Sequence, residues 1–373
     1  MGKQVVLKGT VNTATVYTDQ FDKDLEKQII QLLNEPFVEG ETIAIMPDTH
    51  IGKGAVIGTT MTTRNQKVSP NLVGVDIGCG IMVTKLKDGP FSKSDYMKLD
   101  QVIREYVPSG FQVNKRTERF NRLNDLTFKL KKKQRIMQSI GSLGGGNHFI
   151  ELAKNERDDY YLAIHSGSRS LGLTVANHHQ RLAKEHCLKK GEQPKVNAPA
   201  LAYLEGKQLE DYLNDLYIAQ EYAHQNRLRM TEKIIQHMGW TVSDQFDSVH
   251  NYIEPEKGIL RKGATDASEG KRLIIPLNMR DGSIIARVKG NPAWNHSAPH
   301  GAGRVLSRSA AKKELSFEFF QATMSEVYST SVKKGTLDEA PMAYKEAKDI
   351  VDNIGDTVEI LELIKPVYNF KGQ

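Results

Sequence analysis

Between Glu41 and Leu86 four short β-prone runs, ETIAIM, AVIGTTMTT, NLVGVDI and IMVTKL, are cut by glycines. Runs of that length and texture read as strands joined by tight turns. Further along, DYYLAIH (159–165) reads as a strand entering a glycine turn, and β character returns at 258–262, 272–277, 283–289 and 356–364. Helical periodicity is interleaved with these strands. Residues 22–34 set Leu25, Ile29, Leu32 and Leu33 on one side of an amphipathic helix, and further helices are predicted at 93–106, 171–190, 207–238, 305–313 and 341–353. The 207–238 helix carries an apolar stripe of Leu216, Ala219, Ala223, Met230 and Ile234 that Arg227 interrupts. Strict β–α–β alternation is absent, so the fold class is α+β and not doubly wound. No linker divides the chain and no fixed-period repeat is visible, so residues 1–373 are expected to form a single large domain with a helical insertion at about 171–240.

A chain of 373 residues with 39% hydrophobic and 26% charged residues is globular in composition and long enough to bury a core without staples. It lacks an apolar run long enough to span a membrane. Its first residues, MGKQVVLKGT, have no secretory h-region, and it holds only two cysteines, Cys79 and Cys187. A cytoplasmic, reducing location is therefore expected, with no disulfide scaffold. The net charge of +6 is compatible with a polyanionic partner. The basic run KLKKKQR (129–135) reads more readily as a solvated helix face than as a nucleic-acid patch.

Five segments carry side chains suited to chemistry. Asp76 and Cys79 flank a glycine turn in GVDIGCG, where a carboxylate and a thiolate three residues apart can converge on one cation. Taken singly, Cys79 reads as a small buried hydrophobe. GGGNHFIE (144–151) offers His148 with Asn147 and Glu151 beside a backbone that can approach a ligand closely. His165 ends a strand and precedes Arg169, whose guanidinium suits a phosphate. His250 in VHNY is uninformative by itself. One thiol, one carboxylate and three imidazoles together form a borderline-soft set that manganese, zinc, iron or cobalt would accept. The fifth segment, SAPHGAGRVLSR (297–308), puts His300 and a small-residue turn before a predicted helix whose N-terminus would favour an anion. His50, in MPDTHIGKG, is placed at the mouth of such a site, whereas His178, His179, His186 and Cys187 fall on a Lys-, Glu- and Gln-rich helix and read as a solvated face.

Read in order, MPDTHIGKG, GVDIGCG, SLGGGNHFIE, HSGSRSLG, HNY, HGAGRVLSR and EAPMAYK resemble the RtcB family of GTP-dependent RNA ligases, and Lys371 near the end also fits. The resemblance spans nearly the whole chain. It implies a single α+β domain with mixed and antiparallel sheets around a central metal cleft. The activity implied is joining of an RNA 3′-phosphate, or a 2′,3′-cyclic phosphate, to a 5′-hydroxyl, in RNA repair or tRNA splicing. GTP is the implied co-substrate and a pair of Mn²⁺ ions the implied metal. Asp76, Cys79, His148, His165 and His250 are the implied metal ligands, with Cys79 bridging. His300 matches the histidine that accepts GMP, and Asp48 matches a carboxylate near the metals. Asn147, Glu151, Gly301, Ala302, Gly303, Tyr344 and Lys371 match nucleotide contacts, while Arg169 and Arg304 match contacts to RNA phosphate. Where the family carries a PGSMG-like loop, this chain has Pro276-Leu277-Asn278-Met279-Arg280-Asp281-Gly282-Ser283, which leaves Ser283 as the guanine-side residue. The alternatives are a manganese-dependent RNA-end phosphoesterase without ligation and a non-catalytic RNA-binding protein with a structural metal. His300 separates the first of these from a ligase, because phosphoester cleavage needs no nucleotide-accepting histidine.

Overall fold

The computed structural model describes residues 3–191 and 199–372. Among the described residues the strands form three sheets. The six-stranded sheet runs Val5–Lys8, Thr13–Val16, Ile43–His50, Ile57–Thr62, Ile259–Lys262 and Asn251–Glu254, with one parallel pairing, between Thr13–Val16 and Ile43–His50. The seven-stranded sheet runs Arg272–Asn278, Gly282–Val288, Val358–Lys371, Phe149–Lys154, Tyr160–Ser166, Gly80–Leu86 and Val242–Val249, every neighbour antiparallel. Ala264–Asp266 and Ser297–Pro299 make a short two-stranded ladder. The α+β class is thus observed, built mainly from antiparallel strands.

Helix Lys23–Leu33 forms where its periodicity predicts. Asp22 caps it by accepting from the Leu25 amide, and Leu25, Ile29, Leu32 and Leu33 are its buried residues. They share one hydrophobic core with the six-stranded sheet and with Leu171, Val175 and Leu216 of helices Arg169–Lys189 and Gly206–Met238. The long helix also packs on strands Gly80–Leu86 and Tyr160–Ser166. Its stripe residues are buried as expected, and so is Arg227.

Several local expectations are corrected. Residues 70–79 form a 3₁₀ turn and loop, so NLVGVDI is not a strand, and Asp76 and Cys79 precede the strand beginning at Gly80. The glycines Gly74 and Gly78 adopt positive φ there and break any extended path. The helix after His300 begins at Arg308, capped by the Ser307 side chain, so His300 does not sit at its N-terminus. The predicted 341–353 helix is broken at residues 344–346 into a 3₁₀ turn, Pro341–Ala343, and a helix, Ala347–Ile354. Only Lys133–Ser139 of the basic region is helical, so residues 129–132 are not a helix face. His179 and Cys187 are buried, not solvated.

Candidate functional site

Strand register gathers the chemistry at one end of the seven-stranded sheet. Gly80 pairs with Ser166 on one side and Val249 on the other, so Cys79, His165 and His250 arrive together. Phe149 pairs with His165, which brings His148 alongside, and Lys371 pairs with Phe149 while Asn369 pairs with Glu151. The His250 amide donates to the Cys79 carbonyl at 2.9 Å. The five predicted ligands therefore meet, although they are spread from 76 to 250 in sequence.

The donor atoms fall into two overlapping triads, Asp76–Cys79–His148 and Cys79–His165–His250, each with its atoms within 4.8 Å of one another. Cys79 belongs to both. Its sulfur lies 3.6 Å from His148 Nε2 and 3.3 Å from His165 Nε2, and Asp76 Oδ2 is 3.0 Å from His148 Nε2. The Leu143 carbonyl accepts from His148 Nδ1 at 2.9 Å, which aims Nε2 at the sulfur and carboxylate. Burial and the neighbouring imidazoles hold His165 and His250 well below the usual histidine range, so both are neutral donors. Burial and the Asp76 charge push the Cys79 thiol up. Burial alone would raise Asp76, but the hydrogen bond and charge of His148 outweigh it and keep the carboxyl low. This donor set fits a cation that enforces thiolate formation, and one shared sulfur suits a pair of such ions.

His300 stands beside this cluster, its ring centroid 4.9 Å from that of His250. The Ala264–Asp266 ladder carries it there, since Ala264 donates to the His250 carbonyl and pairs with Pro299. Among the described residues the fully buried Asp48 makes no hydrogen bond to the five ligands. Its Oδ2 instead accepts from His300 Nδ1 at 2.6 Å and from the amides of His300 and Gly301 at 3.1 and 3.2 Å. That bond fixes the proton on Nδ1 and leaves Nε2 as the free lone pair. Gly303 is required here: its φ is +77° and a Cβ would lie 2.3 Å from the Asp48 carbonyl oxygen. His50 lies 6.4 Å from His300, centroid to centroid, with burial lowering its pKa to about 4.

These groups open into a cleft of about 740 Å³ whose wall includes Asn147, Glu151, His165, Ser283, Gly301, Ala302, Gly303, Tyr344 and Lys371. Glu339, the first residue of the EAPMAYK motif, organises the far wall. It accepts from Lys371 Nζ at 2.8 Å and from the Tyr344 hydroxyl at 2.8 Å, and lies 2.9 Å from Arg308. Arg304 completes this network through the Tyr344 hydroxyl and the carbonyls of Leu306 and Asp338. Glu151 is held by Asn369 at 2.8 Å, with its other oxygen unpartnered, and burial raises its pKa to about 7.

Arg169 lies behind the glycine loop. Its Nε donates to Ser142 and its Nη2 to the Gly110 carbonyl at 2.9 Å. Gly144 lets that guanidinium pass, since its φ is +85° and a Cβ would sit 1.8 Å from Arg169 Nη1. Arg227 is a second residue whose role the sequence hid. Its Nη1 donates to the carbonyls of Gly78 and Ser166, one residue from Cys79 and one from His165, while Asp247 receives Nε at 2.8 Å and Nη2 at 2.6 Å. A charge breaking an apolar helix stripe was the available signal.

Residues 28–129 and 120–372 match the family model described as tRNA-splicing ligase RtcB. The chain is 31% identical over 403 residues to the RNA-splicing ligase RtcB of Escherichia coli (strain K12), across 94% of this chain and 95% of that protein. It is 32% identical over 401 residues to the RNA-splicing ligase RtcB1 of another Escherichia coli strain, with the same coverage. Similarity extends to the tRNA-splicing ligase RtcB of Aeropyrum pernix, at 27% over 460 residues, 96% of this chain and 95% of the relative.

Proposed function

The chain belongs to the RtcB family of RNA-splicing ligases, and we propose that it joins RNA 3′-phosphate or 2′,3′-cyclic phosphate ends to 5′-hydroxyl ends, using GTP and a pair of Mn²⁺ ions. The observation that carries this reading is the Asp48–His300 pair beside the Cys79 cluster. A histidine with Nδ1–H bound to a buried carboxylate keeps a lone pair on Nε2, and the carboxylate stabilises the ring when it becomes cationic.

In this reading His300 Nε2 attacks the α-phosphorus of GTP, a P–N bond forms and pyrophosphate leaves. The RNA 3′-phosphate then attacks the same phosphorus, the P–N bond breaks, and an RNA(3′)pp(5′)G end forms. The 5′-hydroxyl attacks the activated 3′-phosphorus, loses its proton and releases GMP. Asp76, Cys79, His148, His165 and His250 would hold the metals, with Cys79 shared. When bound, the cations offset triphosphate charge and aid departure of pyrophosphate. Asn147, Glu151, Ser283, Gly301, Ala302, Gly303, Tyr344 and Lys371 are assigned to the nucleotide, which suits their position on the cleft wall. Arg169 and Arg304 are assigned to RNA phosphate, and each would exchange an internal hydrogen bond for that contact. Chain segments from Gln20 to Lys371 line the cleft, which supports one catalytic unit over 1–373; a cytoplasmic location is part of the same proposal.

The test is incubation with Mn²⁺ and α-labelled GTP. The expected result is an acid-labile, alkali-stable protein–GMP adduct that His300→Ala abolishes. Opening of 2′,3′-cyclic ends with no adduct would replace the ligase with a phosphoesterase.

A further inference from the structure

We propose that the basic strap at residues 108–135 is a docking surface for the single-stranded RNA leading to the reactive 3′ end, with Phe111 as its base-stacking platform. The inference rests on the RNA-ligase reading and adds where the strand outside the cleft is held. The strap is tied to the loop that carries Asn147 and His148. Gly110 donates to the Gly144 carbonyl at 2.8 Å, Leu143 donates to Pro108 at 2.9 Å, and Arg169 donates to Gly110. Farther out, Asn114 donates to the carbonyls of Gln138 and Ile140, and Glu118 donates to Met137, so the strap runs along helix Lys133–Ser139. Arg135 Nη2 donates to the Phe111 carbonyl at 2.7 Å.

On this pinned backbone the Phe111 ring is 95% exposed, the most exposed large apolar side chain among the described residues. A phenyl ring presented by a hydrogen-bonded loop offers a face to an unpaired base without a large ordering cost. Its surroundings are cationic: residues 111–135 hold nine Lys and Arg against Glu118 and Asp125. Those two acids are already paired, with Arg229 and Arg122. Among the described residues Lys115, Arg116, Lys129, Lys131 and Lys132 are exposed and make no ion pair. A polyanion with unpaired aromatic bases answers both features, whereas an acidic protein would leave the ring unused. Residues 129–132 are free of helical geometry, so their lysines can follow a phosphate backbone.

The experiment uses the full chain and a fluorescent single-stranded RNA ending in a 3′-phosphate, with affinity read by anisotropy across a salt series. Phe111→Ala is expected to weaken binding about ten-fold at an unchanged salt slope, and Phe111→Trp to restore it. Lys131→Gln/Lys132→Gln is expected to lower the slope by about 0.7 for each phosphate that the variant no longer neutralises. Each variant should accept GMP from GTP at the wild-type rate, and ligation should show the loss in KM for RNA, not in kcat. Unchanged RNA affinity in both variants, or a Trp variant no better than Ala, would overturn the docking surface. A wild-type protein that forms no GMP adduct and seals no RNA would overturn the ligase reading instead.

Discussion

Two histidine–cysteine clusters in this chain look alike in sequence and differ in what their atoms already touch. In the helical cluster, His179 Nε2 meets Asp215 at 2.7 Å, and Asp215 is further satisfied by the amide and hydroxyl of Thr127 at 2.9 and 2.6 Å. His178 stacks on Phe128, and Cys187 lies in the hydrophobic core. In the cleft cluster, Cys79 faces two imidazole nitrogens, and His165 and His250 face other imidazoles across 5.1 Å between centroids. In the first cluster the Asp215 carboxylate is fully engaged, and the buried His179 Nδ1 alone of that pair has no hydrogen-bond partner among the described residues. The second concentrates lone pairs with too few protons between them, an arrangement that a cation completes. Convergence of several donor atoms on one point, and not residue type or burial, separates the ligating cluster from the structural one.

Substitutions can break that contrast. The largest effect is expected from Cys79→Ala, which removes the shared donor. Bound metal, measured by elemental analysis, and ligation should fall together by more than the roughly 100-fold that losing a ligand's hydrogen-bond partner costs. Asp215→Ala, in the helical cluster, should cost about 3 kcal/mol in denaturant unfolding through removal of its hydrogen bonds to His179, Thr127 and Asn214, while metal content stays intact. Retained stability in that variant would show that the helical cluster is not the hydrogen-bonded network described.

The two buried carboxylates should also titrate in opposite senses. Burial alone would raise Asp215, but its bonds to His179 and Thr127 keep it low. The stabilisation it provides is present above the ordinary carboxylate range and lost as pH falls through its folded value. Glu151, raised to about 7, favours the folded state most below the ordinary value of 4.5, and that contribution is lost as pH rises through about 7. Glu151→Gln should therefore be more stable than the parent at pH 8 by about 2 kcal/mol and flatter between pH 5 and 8, read by thermal unfolding. Equal pH slopes for the two proteins would remove Glu151 from this account. The smallest effect is expected from Cys187→Ala, about 1 kcal/mol of weakened packing with metal content and specific activity unchanged.

Local periodicity made Lys23–Leu33, Lys93–Tyr106 and the stripe of Gly206–Met238 legible in the sequence, because these elements are set by interactions within a few turns. The helix boundary after His300 was not, because the amides of Val305 and Leu306 donate to the Ala343 carbonyl, far away in sequence, instead of entering a helix. Ligand types were legible as motifs. Their meeting was not, and neither were the roles of Glu339 and Arg227 or the Asn369 partner of Glu151. Those roles depend on pairings across tens or hundreds of residues, such as Asn369 with Glu151 and Gly80 with both Ser166 and Val249.

By itself, then, the sequence determined which chemical groups were available, where helices could nucleate and which family the motifs resemble. Only the tertiary structure decided that Asp48 serves His300, that Cys79 is shared between two triads, and that His179 is held by Asp215. The physical reason is that propensity acts over neighbouring residues, whereas the satisfaction of a buried donor or lone pair is decided by whatever strand register brings against it.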